Sequence, residues 1–188
     1  MTITETTKPA DNGVNVEALL GAREAMTEVR PAAQFKWQVS HEWVSGAHGR
    51  SIVKDFFGLG ETQERPKQFV LETDHPELFA AGDNGPTPLE VVLCGLAGCL
   101  TAGVASVAQH RNIQLNSVVA TLEGDMDMAG VLGIDSDVRN GFGAIRVTYN
   151  IDADATREEI EAIVAQSQKR SAVYDVIANP TNISVEVA

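Results

Sequence analysis

Two cysteines, Cys94 and Cys99, are the only thiols in the 188-residue chain, and they sit five residues apart. The uncharged run Val91 to Ala108 around them reads as helix. On such a helix they differ by ~140° around the axis, with Cα atoms roughly 8 Å apart. A disulfide needs Cα atoms closer than about 7 Å and facing Cβ vectors, so an internal bridge is not expected. A lone helical cysteine is first of all a small buried hydrophobe. To do chemistry it must be a thiolate, and an ordinary thiol, with pKa ~8.5, is mostly protonated at neutral pH. Cys99 lies about 18 Å from the helix start by rise per residue, too far for that helix's dipole to help.

Other reactive groups are sparse. Thr87-Pro88-Leu89-Glu90 has the pattern of a capping box: Thr87 caps the helix, Pro88 takes the first helical position, and the Glu90 carboxylate reaches back to the Thr87 N–H. That gives Glu90 a structural task. It also lies ~13 Å along the axis from Cys99, on the opposite face. The four histidines, His41, His48, His75 and His110, show no ligand spacing, so no zinc site is expected. No phosphate-binding glycine loop and no Ser-His-Asp arrangement stands out. No cofactor is implied.

The elements that must position these groups follow from periodicity. Residues 14–29 read as a helix ended by Pro31. Strands are expected over 34–44, 50–57 and 68–72, with turns at 45–49 and 58–66. A Gly-, Pro-, Asp- and Asn-rich loop over 74–88 joins two halves. The long apolar helix then runs to about His110. Strands over 112–127 and 141–151 flank a segment, 128–140, that reads as a flexible insertion or hairpin tip. Thr156 caps a helix over 157–169, with Glu159 three residues on. A short helix over 171–178, an Asn179-Pro180 turn and a strand over 183–187 close the chain. Residues 1–13 read as a mobile tail and 14–188 as one domain, made of halves 14–74 and 86–188. Helices segregated from antiparallel strands mean an α+β fold.

Composition narrows the function classes. The formal net charge is -12. Nucleic-acid binding needs clustered Lys and Arg, so it is disfavoured, as is an anionic membrane surface. The chain is 44% hydrophobic and 21% charged, ordinary for a globular domain. The stretch 91–108 approaches a membrane-spanning length, but its Gly, Ala, Ser and Thr content and its neighbours favour a central helix buried on all sides. With no signal-like start, the expected location is the cytoplasm.

The stretch "HPELFAAGDNGPTPLEVVLCGLAGCLTAGVASVAQHRNI", His75 to Ile113, resembles the OsmC/Ohr family. The Gly-Pro-Thr-Pro helix start, the Leu-Ala-Gly-Cys-Leu run and the strand "LNSVVATLEGDMD" carry the resemblance. The closing order "TREEIEAIVAQSQKRSAVYDVIANPTNISVEV" extends it, so that it spans roughly Phe35 to Val187. It implies antiparallel sheets wrapped around a long buried helix in an intertwined homodimer. It also implies a thiol peroxidase acting on small apolar organic hydroperoxides, as in oxidative stress defence. The attacking cysteine falls on Cys99 and the activating arginine on Arg50, after the Ser-Gly-Ala-His-Gly turn. An arginine suits that task, being always charged and able to donate to a sulfur and a peroxide oxygen together.

Two positions depart from the family pattern. The resolving cysteine is replaced by Ser171. The acidic partner falls at Leu89 or, shifted by one, at Glu90, the third site residue. A peroxidase built this way would be a one-cysteine version, its sulfenic acid cleared by an external thiol or dithiol. The alternative on the same fold is a non-catalytic protein that binds a small apolar ligand or serves as a structural dimer.

Overall fold

The computed structural model describes residues 9–187. Contacts divide the chain into two compact units. One comprises Asn15–Val92; the other comprises Met1–Val14 with Leu93–Ala188.

The Asn15–Val92 unit starts with α1 (Val16–Glu28), capped by the Asn15 side chain, which accepts from the Ala18 N–H. A three-stranded antiparallel sheet follows in the order β1 (Ser40–Ser45), β2 (His48–Val53), β5 (Phe69–Thr73). Between β2 and β5 lies the small hairpin of β3 (Phe56–Gly58) and β4 (Glu61–Gln63). The sequence reading places one strand over 50–57 and a turn over 58–66. The chain instead breaks at Lys54-Asp55 and pairs Phe57 with Thr62. Phe35, Trp37 and Phe56 stack beside this hairpin, and Lys36 bridges to Phe57, which takes the front of the expected 34–44 strand out of the main sheet.

The loop after β5 is knotted by a buried carboxylate. Asp74 is 1% exposed and accepts from the His75 N–H at 2.8 Å, the Asn84 N–H at 3.1 Å and Asn84 Nδ2 at 2.7 Å. Those donors, the Asn84 side chain first, outweigh burial and bring the Asp74 carboxyl down to about 2. A folded-state pKa below the unfolded one gives stability that is present above about pH 4 and lost as pH falls towards 2. Asp74→Asn is therefore expected to unfold more easily than wild type at pH 6, and the difference is expected to shrink across that acid window. Urea titrations at a series of pH values would show it; a constant difference would refute the role.

The second unit is built on α2 (Pro88–His110), which begins in the first unit and supplies Leu96, Leu100, Val104, Val107 and Ala108 to the core. Val104, Ala108 and Ile163 are 0%, 0% and 1% exposed. Burial of a Val or Ile side chain contributes about 1.5–3 kcal/mol, so this contact helps to dock α4 (Arg157–Arg170) on α2. Alternating Val118, Tyr149, Ile151 and Ala153 from the antiparallel pair β6 (Leu115–Asp125) and β7 (Ala144–Ala153) pack against the same cluster. The expected insertion between them holds one helical turn, α3 (Met128–Val131), capped by Asp127. The Thr156–Glu159 capping box of α4 is present with both bonds. α5 (Ala172–Ala178) follows directly from Ser171.

Two expectations at the chain's ends also differ from the structure. Residues 183–187 form no strand, and Ile183, Val185 and Val187 are 85%, 89% and 100% exposed. Their alternation is strand-like, but among the described residues no strand pairs with them. Residues 1–8 of the expected mobile tail lie outside the described residues. Its end is fastened: Ala10 N–H donates to Asn112, and Asn12 donates to Ile113 O and accepts from the Leu115 N–H. Asn112 sits at φ 57°, where its short polar side chain is tolerated.

Candidate active site

Cys99 is positioned by the way α4 and α5 meet α2. At Gly103 the helices come so close that a Cβ would overlap Ser167 Oγ and stand 3.0 Å from Ser167 Cβ. Ser167, 2% exposed, donates to the Leu100 carbonyl at 2.6 Å. About two turns earlier, Gly95 leaves room for Val173, whose Cγ1 lies 4.0 Å from the place a Cβ would take. The glycines that weaken α2 as a helix are thus partly explained by contacts with the helices after β7.

This packing delivers Ser171 to the sulfur. Ser171 is 6% exposed and has two tasks. Its hydroxyl accepts from the Tyr174 N–H at 3.1 Å, capping α5, and donates to Cys99 Sγ at 3.1 Å. One O–H donor and one of two lone pairs are thereby used. The backbone N–H groups of Val173 and Ala172, at the opening of α5, also favour the thiolate. Burial pushes the Cys99 thiol up. The Ser171 hydroxyl and the two N–H groups together more than offset burial, and the thiol lies below its ordinary value. The dipole of α2 is out of reach, and the opening of α5 takes its place. Sequence reasoning missed these two N–H donors; a serine directly ahead of a short helix is the signal that could have found them.

Ser171→Ala removes the side-chain donor and the cap together. Hydrogen bonding to a thiolate lowers its pKa, so its loss must raise it. The midpoint of Cys99 alkylation against pH is expected to move up in Ser171→Ala, with labelling at pH 7 slowed. An unchanged midpoint would show that the hydroxyl does not act on the sulfur.

The other predicted residues have different partners. Glu90 Oε2 accepts from the Thr87 N–H at 2.7 Å while Thr87 Oγ1 accepts from the Glu90 N–H at 3.2 Å, so the capping box at the head of α2 is formed. Arg50 belongs to the Asn15–Val92 unit. It stands on β2, directly across from Glu42 on β1 and Glu72 on β5. Its Nε donates to Glu72 Oε1 at 2.7 Å and its Nη1 to Glu42 Oε1 at 3.1 Å. His48 Nε2 lies 2.8 Å from Glu72 Oε2. The Arg50 guanidinium, then His48, holds the Glu72 carboxyl below the usual carboxylate range. Glu72 was not singled out from the sequence, because only the β2–β5 register brings it to Arg50. Cys94 is exposed and both cysteines are free, as the helical spacing predicts. Among the described residues no cluster of His, Cys, Asp and Glu could hold a metal ion.

Comparisons with known proteins agree on the architecture. The OsmC-like protein family model matches residues 81–186. An OsmC-like protein from Mycoplasma pneumoniae superposes with a TM-score of 0.58 at 18% identity, covering 76% of this chain and 87% of its own. An organic hydroperoxide resistance protein OsmC from Legionella pneumophila gives 0.50 at 19% identity, covering 75% of this chain and 89% of its own. No curated protein matches the sequence. At these identities the solved structures speak for the fold, and the family model, which takes in the capped start of α2, the Cys99–Ser171 pair and everything between, speaks for descent: the chain belongs to the OsmC-like family.

Proposed function

We propose that the protein is a thiol-dependent peroxidase for small apolar organic hydroperoxides, working with one cysteine in oxidative stress defence in the cytoplasm. The observation that carries this reading is the Cys99 sulfur, which accepts from the Ser171 hydroxyl at 3.1 Å at the opening of α5, where the surroundings favour its anion. The thiolate attacks the terminal peroxide oxygen. The O–O bond breaks, the alkoxide leaves and takes a proton as the alcohol, and Cys99 becomes a sulfenic acid. An external thiol then condenses with it, releasing water and leaving a mixed disulfide. A second thiol, or the other arm of a dithiol, frees Cys99 as the reductant is oxidised to its disulfide.

Arg50 is our candidate for the cation that steadies the thiolate and the peroxide, with Glu72 and Glu42 orienting its guanidinium. Glu90 serves through the cap it completes. The working form is a homodimer. In its support, α2 exposes Val92, Cys94, Gly95, Gly98 and Ala102. These recur at helical spacing, and their small size permits a second helix to approach closely.

The test is hydroperoxide consumption with a dithiol such as dithiothreitol. Wild type is expected to turn over an alkyl hydroperoxide, Cys99→Ser to lose at least about 10³-fold in kcat/KM, and Cys94→Ser to keep its rate. Turnover unchanged in Cys99→Ser, or absent in wild type, would rule the reading out and leave a binding role on the same fold.

A further inference from the structure

We infer that Arg50 responds to the protonation state of His48 through the Glu72 carboxylate that the two share. His48 is then a positioning residue, and its proton sets how firmly Arg50 is held. The inference rests on the role proposed above for Arg50 and names what regulates it.

Strand geometry builds the cluster. His48 and Arg50 are two residues apart on β2, so their side chains leave the same face of the sheet. Glu72 stands across from Arg50 on β5 and diagonal to His48, within reach of both. Each donor takes its own oxygen: Arg50 Nε donates to Glu72 Oε1 at 2.7 Å, and His48 Nε2 lies 2.8 Å from Glu72 Oε2. A carboxylate paired with a guanidinium can only accept, so His48 Nε2 carries the hydrogen in either charge state. The proton that comes and goes is the one on Nδ1. The contact with Glu72 outlasts the titration, and only its charge changes.

Around a neutral His48 the charges do not balance. Arg50 faces two carboxylates, Glu72 and, at 3.1 Å from Nη1, Glu42 on β1. One guanidinium against two carboxylates leaves a surplus negative charge, which cancels the field that Arg50 could offer an incoming anion. A proton on His48 removes the surplus. It acts from the sheltered side: the His48 side chain is 15% exposed, against 60% for Glu42, so water and salt screen it least. Arg50 is then held less firmly by Glu72 and keeps more of its field. Two of its five N–H donors are engaged, and the other three have no partner among the described residues. Imidazole is the side chain whose charge ordinarily changes between about pH 5 and 8. The neighbouring titratable groups do not answer in this way. His41 on β1 lies on the opposite face, its Nδ1 2.9 Å from Ser51 Oγ. Asp74, two residues beyond Glu72, is taken up by Asn84 and the His75 N–H. Among the described residues no other charged side chain pairs with His48 or Glu72.

The test is nuclear magnetic resonance of the full-length protein with isotopically labelled arginine, the Arg50 Nε–H signal being identified by its loss in Arg50→Lys. In wild type this signal is expected to move through an inflection between about pH 8 and 5, towards the position of free arginine as the pH falls. His48→Gln keeps a donor amide but takes up no proton, and is expected to abolish the inflection. His41→Gln is expected to retain it. A wild type without the inflection, or an inflection that persists in His48→Gln, overturns the inference. The second readout is kcat/KM for an alkyl hydroperoxide, divided by the Cys99 thiolate fraction found from alkylation at each pH. In wild type it is expected to fall about fivefold as the pH rises through the inflection, the size a partly exposed ion pair gives, and in His48→Gln to stay level. A level profile in an active wild type overturns the inference and leaves the peroxidase reading standing. An inflection in a protein without turnover supports the coupling and overturns the peroxidase reading.

Discussion

Ser171→Cys is expected to produce a chain whose two ends of the site close in a disulfide, Cys99 to residue 171, after a single oxidation by hydroperoxide. The Ser171 oxygen already lies 3.1 Å from Cys99 Sγ. A sulfur at that place needs to approach by only about 1 Å to reach a bonding distance of ~2.05 Å. Once Cys99 is a sulfenic acid, the new thiol attacks its sulfur and water leaves. The two energetic consequences have opposite signs. In the reduced variant the α5 cap is lost, which costs about 1 kcal/mol. In the oxidised variant a bridge spans positions 72 residues apart, a loop whose closure is worth about 4 kcal/mol in the chain-entropy model. Oxidised variant should therefore melt above wild type, and reduced variant slightly below it. Thiol titration offers a second check: one equivalent of hydroperoxide should leave one reactive thiol, Cys94, and intact mass should show the loss of two hydrogens rather than the gain of an oxygen. Accumulation of a sulfenic acid in the variant would mean that Ser171 does not occupy the place assigned to it.

How much of this was open to sequence reasoning depends on how far each partner lies along the chain. The Thr87–Glu90 cap is a relation between residues three apart, so the sequence pattern predicts both its bonds. The failure of Cys94 and Cys99 to pair follows from helix geometry alone. The alternation in β6 and β7 is likewise local, and these two strands lie inside the expected ranges apart from the last two residues of β7. The Ser171–Cys99 pair is different. Nothing between two residues 72 apart says that they touch; family resemblance marked position 171, and the packing of α4 on α2 supplies the contact. Glu72 is a purer case. It reaches Arg50 through a β2–β5 register that depends on where the β3–β4 hairpin closes, and the sequence reading merged that hairpin into a strand and a turn. The last strand shows a third kind of gap. Its alternation is plain over 183–187, but a strand exists only with a neighbour, and among the described residues none pairs with it.

Gly103→Val should be the most damaging single change in the unit that carries Cys99. Overpacking a close helix contact costs about 1–3 kcal/mol when neighbours can shift, and a β-branched side chain asks for more room than a methyl. Here the nearest atoms offer little give. A Cβ at position 103 meets not only Ser167 Oγ but also Ser167 Cβ at 3.0 Å and Cα at 3.3 Å. Rotating the hydroxyl away would break its bond to the Leu100 carbonyl and leave a buried polar group unpaired, at a further ~1–3 kcal/mol. The expected loss is therefore about 3 kcal/mol or more, measured by urea unfolding. Gly103→Ala is milder, because the better helix propensity of Ala returns about 1 kcal/mol. The functional consequence separates this from ordinary core damage. Ser167 lies four residues before Ser171, so pushing α4 outward at Gly103 draws the Ser171 hydroxyl and the α5 N–H groups off the sulfur. In Gly103→Ala, at temperatures where it remains folded, the Cys99 thiol should titrate higher than in wild type. A destabilised protein with an unaltered thiol titration would show that α5 reaches Cys99 independently of the Gly103–Ser167 contact.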